Sequence, residues 1–180
     1  LSEFVKKAYP DSKSDLCTAF IERCGQMSKT NSYRAMITQQ GWMFLSGFEK
    51  LRSKVLSEEI VNMAHLGANA FDEIAGEVVQ TTSFIDRKNR VDGYKSVYCR
   101  LIEPKNEQGK EDMFLAEENR HIVDQENFSK IPGAPVAYWA GNALLRTFDN
   151  PLIGDISVPT RGLSTGNNDL YVRFWFEVSS

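Results

Sequence analysis

The sequence has few of the residues that most often carry a recognisable chemistry. Its 180 residues include only two histidines and three cysteines. Cys17, Cys24 and Cys99 form no Cys-x-x-Cys pair, and their odd number argues against a disulfide framework. We expect them to be reduced thiols, as in cytoplasmic proteins. His65 and His121 are too far apart in sequence to suggest a metal site or a catalytic triad, so we expect no bound metal.

The sequence also lacks a basic excess and a long apolar run. Its formal net charge of −3 differs from that of most self-contained DNA-binding domains, which are basic. No apolar stretch approaches the roughly 20 residues that span a bilayer, so no membrane association is expected. A hydrophobic fraction of 42% and a charged fraction of 25% are typical of a globular domain. By themselves, the residues therefore predict a globular α/β chain and no particular activity.

Hydrophobic periodicity predicts alternating helices and strands in residues 1–103. The link between the first two predicted strands has the length of a parallel crossover. Asp92–Gly93 lies in a polar turn and predicts a hairpin between the last two strands. The predicted elements are a helix from Ser14 to Cys24, a strand at Tyr33–Thr38, a helix from Phe44 to Val55, and strands at Glu59–Leu66, Val78–Asp86 and Tyr94–Ile102.

The remaining residues are more polar and less periodic. Pro104–Asp112 is predicted to be a charged linker, and Val136–Phe148 a helix introduced by Pro135. Residues 151–168 are rich in Gly, Pro, Ser, Thr and Asn and predict a loop. Tyr171–Val178 alternates enough to predict a strand. We place a boundary near residue 103.

Four segments together resemble a known family of enzymes. They are Asn62–Ile85 (NMAHLGANAFDEIAGEVVQTTSFI), Ser14–Trp42, IPGAPVAYW and GLSTGNND. Their sequences resemble adenine-specific DNA methyltransferases of the BREX phage-defence type, which are related to type IIG restriction–modification enzymes. The resemblance implies N6-methylation of adenine in double-stranded DNA, with S-adenosylmethionine as the methyl donor.

The family's Asn-Pro-Pro-Tyr motif and its Gly-rich cofactor loop are both absent from these residues. We therefore expect an internal piece of a longer enzyme. Residues 1–103 would form the second half of a class I, Rossmann-like α/β methyltransferase sheet, which ends in an antiparallel strand. Residues 104–180 would form a linker and the beginning of the target-recognition region. The alternative is a non-catalytic α/β interaction module that keeps only the fold.

This interpretation has consequences for the isolated chain. We expect it to contain no catalytic residue, to be inactive alone and to bind no S-adenosylmethionine. The strand Tyr33–Thr38 would lose a neighbour on one side of the sheet. An unpaired strand edge favours pairing with another chain, so we expect self-association.

The resemblance also implies roles for individual residues near the target base. Asp15 and Leu16 would line the pocket wall, although Asp15 is equally suited to cap a helix. Gln39, Gln40 and Trp42 would lie at the carboxyl end of a strand, the edge at which α/β sheets bind ligands. For Trp42, a place in the hydrophobic core is an open alternative.

Phe71 has the most specific expected role. The family places an aromatic residue in the corresponding loop, where it stacks on an adenine turned out of the duplex. The alternative for a single loop phenylalanine is that it anchors the loop to the core.

A late Gly- and Asn-rich motif is expected to face DNA. It resembles the element that opens the target-recognition region in related enzymes, although an Asn stands where the family often has Asp. Its residues are Arg161, Gly162, Thr165, Gly166, Asn167 and Asn168.

Overall fold

A computed structural model describes residues 1–71 and 79–158, together with residues 166, 167, 172 and 177. Five strands form one sheet, with short helices connecting them. The helices are α1 (Ser2–Ala8), α2 (Leu16–Met27), α3 (Glu49–Leu56), α4 (Glu107–Ala116), α5 (Asn142–Thr147) and α6 (Ile153–Ile156). The strands are β1 (Tyr33–Gln39), β2 (Glu59–Gly67), β3 (Thr81–Arg87), β4 (Ser96–Arg100) and β5 (Arg120–Val123). Short 3₁₀ helices lie at Gln40–Met43, Ser46–Phe48 and Gln125–Lys130.

The sheet is mixed, with the spatial order β1-β3-β2-β4-β5. β2 and β4 are parallel, whereas β3 is antiparallel to both of its neighbours and β5 is antiparallel to β4. β1 and β2 therefore run in the same direction, but β3 lies between them. The connection through α3 places β1 and β2 two strand positions apart, and β3 occupies the position between them. The predicted α/β fold with an antiparallel strand is confirmed at this level.

The predicted hairpin between β3 and β4 is wrong, because β2 separates these two strands. Their connection crosses the amino end of β2, where the buried carboxylate of Glu59 holds it. Glu59 accepts a hydrogen bond from the backbone N–H of Val91 at 3.0 Å and pairs with Arg90 at 3.3 Å. Gly93 does adopt a left-handed φ of 68°. Its turn bends a crossover rather than closing a hairpin.

One face of the sheet carries the core, and the other is largely open. β3 shows the pattern clearly: Thr82, Phe84 and Asp86 are buried on the covered face. The buried hydrophobic cluster that covers this face contains Ile21, Trp42, Met43, Phe48, Leu51, Val55, Ile60, Met63, Phe84, Tyr98, Phe128, Val136 and Tyr138. None of the helices in the described part of the chain is long and apolar enough to cross a membrane.

Four local predictions are corrected by the structure. The loop predicted over residues 151–168 contains the short helix α6. The helix predicted from Phe44 begins only at Glu49, after two 3₁₀ turns. The predicted linker Pro104–Asp112 contains most of α4, whose N-cap Asn106 accepts a hydrogen bond from the Gly109 N–H. Within Val136–Phe148 only α5 is helical, since the backbone N–H of Val136 instead donates to Met43 at 2.9 Å.

The core does not end at the boundary placed near residue 103. β5 extends the sheet beyond β4, and Phe128, Val136 and Tyr138 belong to the same hydrophobic cluster as the earlier elements. Residues 104–138 therefore complete the sheet and its cover. The assignment of residues 104–180 to the start of a target-recognition region remains a prediction.

A buried arginine connects the 3₁₀ turns to the later loop. Arg52, only 1% exposed, donates from Nη1 to the carbonyls of Trp42 and Leu45, both at 3.0 Å. Its Nε donates to the carbonyls of Gly133 and Ala134 at 2.9 and 3.0 Å. Gly133 and Ala134 both have positive φ, 76° and 44°. The guanidinium thus supplies partners for carbonyls that an irregular backbone leaves free.

Replacing Arg52 by Met should lower the free energy of unfolding by about 3 kcal/mol, because buried carbonyls lose charge-assisted hydrogen bonds. Arg52→Lys should lose part of this, since an ammonium lacks the planar fork. Urea unfolding followed by circular dichroism measures both. Lys50→Met, an exposed change on the same helix, is the control. Equal stability of Arg52→Met and Lys50→Met would contradict the role given to Arg52.

The chain is expected to self-associate through β1. β1 is a sheet edge within the described residues, and Ile37 is 60% exposed on it. A Lys at an exposed strand edge opposes pairing with another chain. Ile37→Lys should therefore shift the protein toward monomer in light scattering, whereas Ile122→Lys on the opposite edge strand should not. A wild-type protein that stays monomeric at all concentrations would refute this expectation.

Candidate functional site at the carboxyl edge of the sheet

The parallel strands β2 and β4 end at the same edge of the sheet, and β1 ends there as well. This edge carries Gln39 at the end of β1 and Gln40 directly after it, His65 near the end of β2, and Arg100 at the end of β4. His65 and Arg100 are register partners on neighbouring strands. Open α/β sheets bind ligands outside the carboxyl ends of their strands. The carboxyl edge is therefore the candidate functional site.

A chain of polar side chains crosses this edge. Gln80 accepts a hydrogen bond from the side-chain amide of Gln40, and the Gln40 oxygen contacts His65 Nε2 at 2.5 Å. On the other side of the ring, His65 Nδ1 lies 2.8 Å from the Tyr138 hydroxyl. Because an amide oxygen only accepts, Nε2 carries the proton and Nδ1 accepts from Tyr138. The network thus fixes one neutral tautomer of His65.

The environment of His65 favours this neutral form. Burial lowers its pKa from 6.5 to about 4, and the nearby positive charge of Arg100 acts in the same direction. Near neutral pH the imidazole is therefore uncharged. It acts as a hydrogen-bonding spacer between Gln40 and Tyr138.

Trp139 lies across this network and is 41% exposed. Its indole is nearly parallel to the His65 ring, with an angle of 28° and centroids 6.5 Å apart. Phe44 and Tyr138 approach it at 5.6 and 4.9 Å between centroids. The Arg100 guanidinium lies over the indole at 5.6 Å. We call this group of five side chains the Trp139 platform.

A buried lysine ties α4 to the same edge. Lys110 Nζ donates to the carbonyls of Leu66 and Leu101 at 2.6 and 2.7 Å. Burial lowers the pKa of Lys110, and the carboxylate of Glu103 acts against that shift. Glu103 also accepts a hydrogen bond from Arg100 Nε at 2.9 Å. α4 thereby braces the ends of β2 and β4.

The structure places the predicted site residues unequally. Phe71 follows β2 at the carboxyl edge and is 38% exposed, which does not favour the core-anchor alternative. Gln39 is exposed at the end of β1, opposite Thr81. Trp42 is fully buried: its Nε1 donates to Thr38 Oγ1 at 3.2 Å and its ring contacts Phe84. Trp42 therefore has the core position, the second of its two alternatives, and presents no surface to a pocket.

The two residues expected at the start of α2 have local partners. Asp15 is the N-cap of α2, and its Oδ1 accepts from the Cys17 N–H at 2.8 Å. Leu16 is half exposed and lines an apolar hollow with Phe4 and Phe20. The capping alternative for Asp15 is confirmed. The pocket-wall role of both residues remains a prediction.

Most of the motif expected to face DNA lies outside the described residues. This applies to Arg161, Gly162, Thr165 and Asn168. Gly166 has a left-handed φ of 68°, which suits a tight turn. In the described part of the chain, no group of three or more His, Cys, Asp or Glu side chains could hold a metal ion.

The sequence did not single out His65, Arg100 or Trp139 as site residues. Each comes from a different segment. The sheet register brings His65 and Arg100 together, and the hydrogen bonds of Arg52 and of the Val136 N–H hold the loop that carries Trp139. The quoted segment IPGAPVAYW was the available signal, because it contains two adjacent aromatic residues after two prolines.

The neutrality of His65 predicts a pH-dependent stability. The pKa of His65 is lower in the folded chain than in the unfolded one. Its contribution to the free energy of unfolding is therefore complete above pH 6.5 and is lost as the pH falls toward 4. Near pH 5 the loss should be about 2 kcal/mol. The His65→Gln variant should not show this loss of stability. Urea unfolding of wild type and variant at pH 7.5 and at pH 5 measures the difference in their free energies of unfolding.

Asp86 contributes in the opposite sense, but equally in both proteins. Burial raises its pKa from 3.8 to about 6, against the effect of Arg34, so it stabilises the fold as the pH falls through that range. Because Asp86 is present in both wild type and His65→Gln, its effect on the free energy of unfolding cancels when the two proteins are compared. A difference between the two proteins that does not change with pH would contradict a neutral, buried His65.

The chain is similar in sequence to one family of methyltransferases and to two of its members. Residues 1–71 match the family described as "Eco57I restriction-modification methylase". The chain is 45% identical over 186 aligned residues to "Adenine-specific methyltransferase PglX" of Lacticaseibacillus casei (strain Zhang). It is 42% identical over 182 residues to "Adenine-specific methyltransferase BrxX" of Escherichia coli O9:H4 (strain HS).

Both relationships extend over 99% of this chain but over only 16% and 15% of the two relatives. The resemblance stated from the sequence is thus confirmed. The chain corresponds to about a sixth of the length of these relatives, and it belongs to the Eco57I-type family of adenine-specific methyltransferases that includes PglX and BrxX.

Proposed function

We propose that this chain is part of an S-adenosylmethionine-dependent DNA adenine N6-methyltransferase. In such an enzyme it supplies the pocket for the target base and the beginning of DNA recognition. The observation that carries the proposal is the exposed ring of Phe71. It lies at the carboxyl edge, in a chain 45% identical to an adenine-specific methyltransferase.

The chemistry requires a surface of this kind. An adenine amine inside a duplex is out of reach of a methyl donor, so the base must leave the stack and be held elsewhere. A phenyl ring with an open face holds a flat base without reading its sequence. Phe71 is 38% exposed, and Gln39 adds an exposed amide at the same edge.

The described residues do not fit the cofactor. A Gly-rich cradle needs backbone that is open to the ligand, but Gly67 and Gly41, the glycines that the structure describes at this edge, both lie close against other residues. An added Cβ would meet Ile102 at 2.9 Å from Gly67 and Leu45 at 3.3 Å from Gly41. S-adenosylmethionine would therefore be held by parts of the longer enzyme that correspond to none of these residues.

Double-stranded DNA is the proposed partner of the longer enzyme. With a net charge of −3, this chain would contribute local rather than global contacts to phosphates. The motif from Arg161 to Asn168 is proposed to face DNA. Its glycines permit close approach of the backbone, and its asparagines both donate and accept hydrogen bonds.

Phe71 provides the test in the longer enzyme. Phe71→Ala should reduce methylation about tenfold to hundredfold, because a stacked base contributes roughly 1–3 kcal/mol. Phe71→Trp should retain most activity, since it also offers a flat π-surface. Methyl transfer to duplex DNA and thermal melting should be measured on the same preparations.

Phe114→Ala, which truncates a similarly exposed phenylalanine on α4, is the matched control. It should leave both activity and melting temperature unchanged. Equal activity of Phe71→Ala and wild type would refute the stacking role. A sharp fall in melting temperature for both Phe71 variants, with activity per folded molecule unchanged, would instead assign Phe71 to the core.

A further inference from the structure

Trp139 is an exposed aromatic ring that the proposed base pocket does not use. Tryptophan in a closed core would be covered on both faces, but Trp139 is 41% exposed. His65 and Arg100 project from neighbouring positions on adjacent strands, so both approach the indole from the side of the sheet. Phe44 and Tyr138 contact it as well. These contacts leave 41% of the residue exposed, and this exposed part is the surface that a ligand can reach.

The ring is held rigidly, although it is exposed. Tyr138 is buried in the core and stacks on Tyr98 at an angle of 3°. Its hydroxyl belongs to the network of Gln40 and His65. Preorganisation of this kind lowers the entropy lost when a ligand is bound.

We propose that the Trp139 platform binds an unpaired nucleobase of a DNA strand, separately from the base that Phe71 holds. The base stacks on the open face of the indole, and Arg100 places positive charge beside the adjoining phosphate. The choice of DNA rests on the proposed function. The chemistry itself, a flat π-system joined to an anion, is that of a nucleotide.

Three features favour a nucleotide over another aromatic ligand. The platform lies at the same carboxyl edge as Phe71, where the two loops would meet one distorted stretch of DNA. Arg100 already lies over the indole, an arrangement that also accompanies bases stacked in single-strand binding grooves. The His65 imidazole is held in its neutral form between Gln40 and Tyr138, so the positive charge against the indole is that of Arg100, whose Nε also donates to Glu103 at 2.9 Å.

The test uses the 180-residue chain and a fluorescein-labelled single-stranded oligothymidylate of eight nucleotides, at low salt. Fluorescence anisotropy should show saturable binding, weaker for the same sequence in a duplex. Trp139→Leu keeps an apolar side chain against Phe44 but removes the π-surface. It should weaken binding about tenfold, and Trp139→Phe should weaken it less.

Phe114→Ala is the matched control. Arg120 lies over Phe114 at 5.4 Å, much as Arg100 lies over Trp139, and Phe114 is 44% exposed. This change should leave binding within twofold of wild type. Thermal melting of every variant checks that the fold is intact.

Each contrary result overturns the proposal. These are no binding by the wild type, equal binding of single strand and duplex, or equal binding by wild type and Trp139→Leu. Equal losses in Trp139→Leu and Phe114→Ala would also do so. Failure of the proposed function is separately visible, as unchanged methylation in Phe71→Ala of the longer enzyme. Loss of oligonucleotide binding in Trp139→Leu would still support the platform in that case.

Discussion

The arrangement of the candidate site depends on the buried guanidinium of Arg52. One cation binds carbonyls from the turn after β1 and from the loop around Gly133, two segments about 90 residues apart in sequence. A few residues later the second segment presents Tyr138 and Trp139 at the carboxyl edge. A hydrophobic contact would hold these segments close together, whereas hydrogen bonds with fixed directions also set the path of the loop. Arg rather than Lys suits this task, because its planar fork reaches several acceptors at once.

A second buried cation that donates to backbone carbonyls lies nearer to the site. Lys110 binds two carbonyls at the ends of β2 and β4, and burial lowers its pKa. His65 is neutral for the same reason. The buried cations of Arg52 and Lys110 are therefore hydrogen-bonded to backbone carbonyls. The buried imidazole of His65 is uncharged. The exposed groups at this edge include the aromatic rings of Phe71 and Trp139 and the polar side chain of Gln39. The two rings are the surfaces on which the proposed bases would stack.

The sequence predicted the elements much better than their arrangement. Periodicity located the strands β1, β2 and β3 to within a few residues, because each places apolar side chains on one covered face. The order of strands was missed, since neither Asp92–Gly93 nor the length of a crossover reveals that β3 inserts between β1 and β2. The core role of Trp42 was left open for a related reason. A tryptophan after a strand can face a pocket or the core, and only the packing of Phe84 decides between them.

The two aromatic surfaces differ in how the fold supports them. Trp139 is held by a hydrogen-bonded network and by rings that belong to the core. Phe71 stands in a long connection between β2 and β3, with an exposed ring and Asn69 beside it in a left-handed conformation at φ 53°. In the proposed function Phe71 holds the base that enters and leaves in each turnover, and its ring is not part of the buried hydrophobic cluster. A neighbouring base that only has to stay unstacked is better served by a rigid platform, which loses little entropy on binding. The difference in support is the physical reason for giving the two rings separate bases.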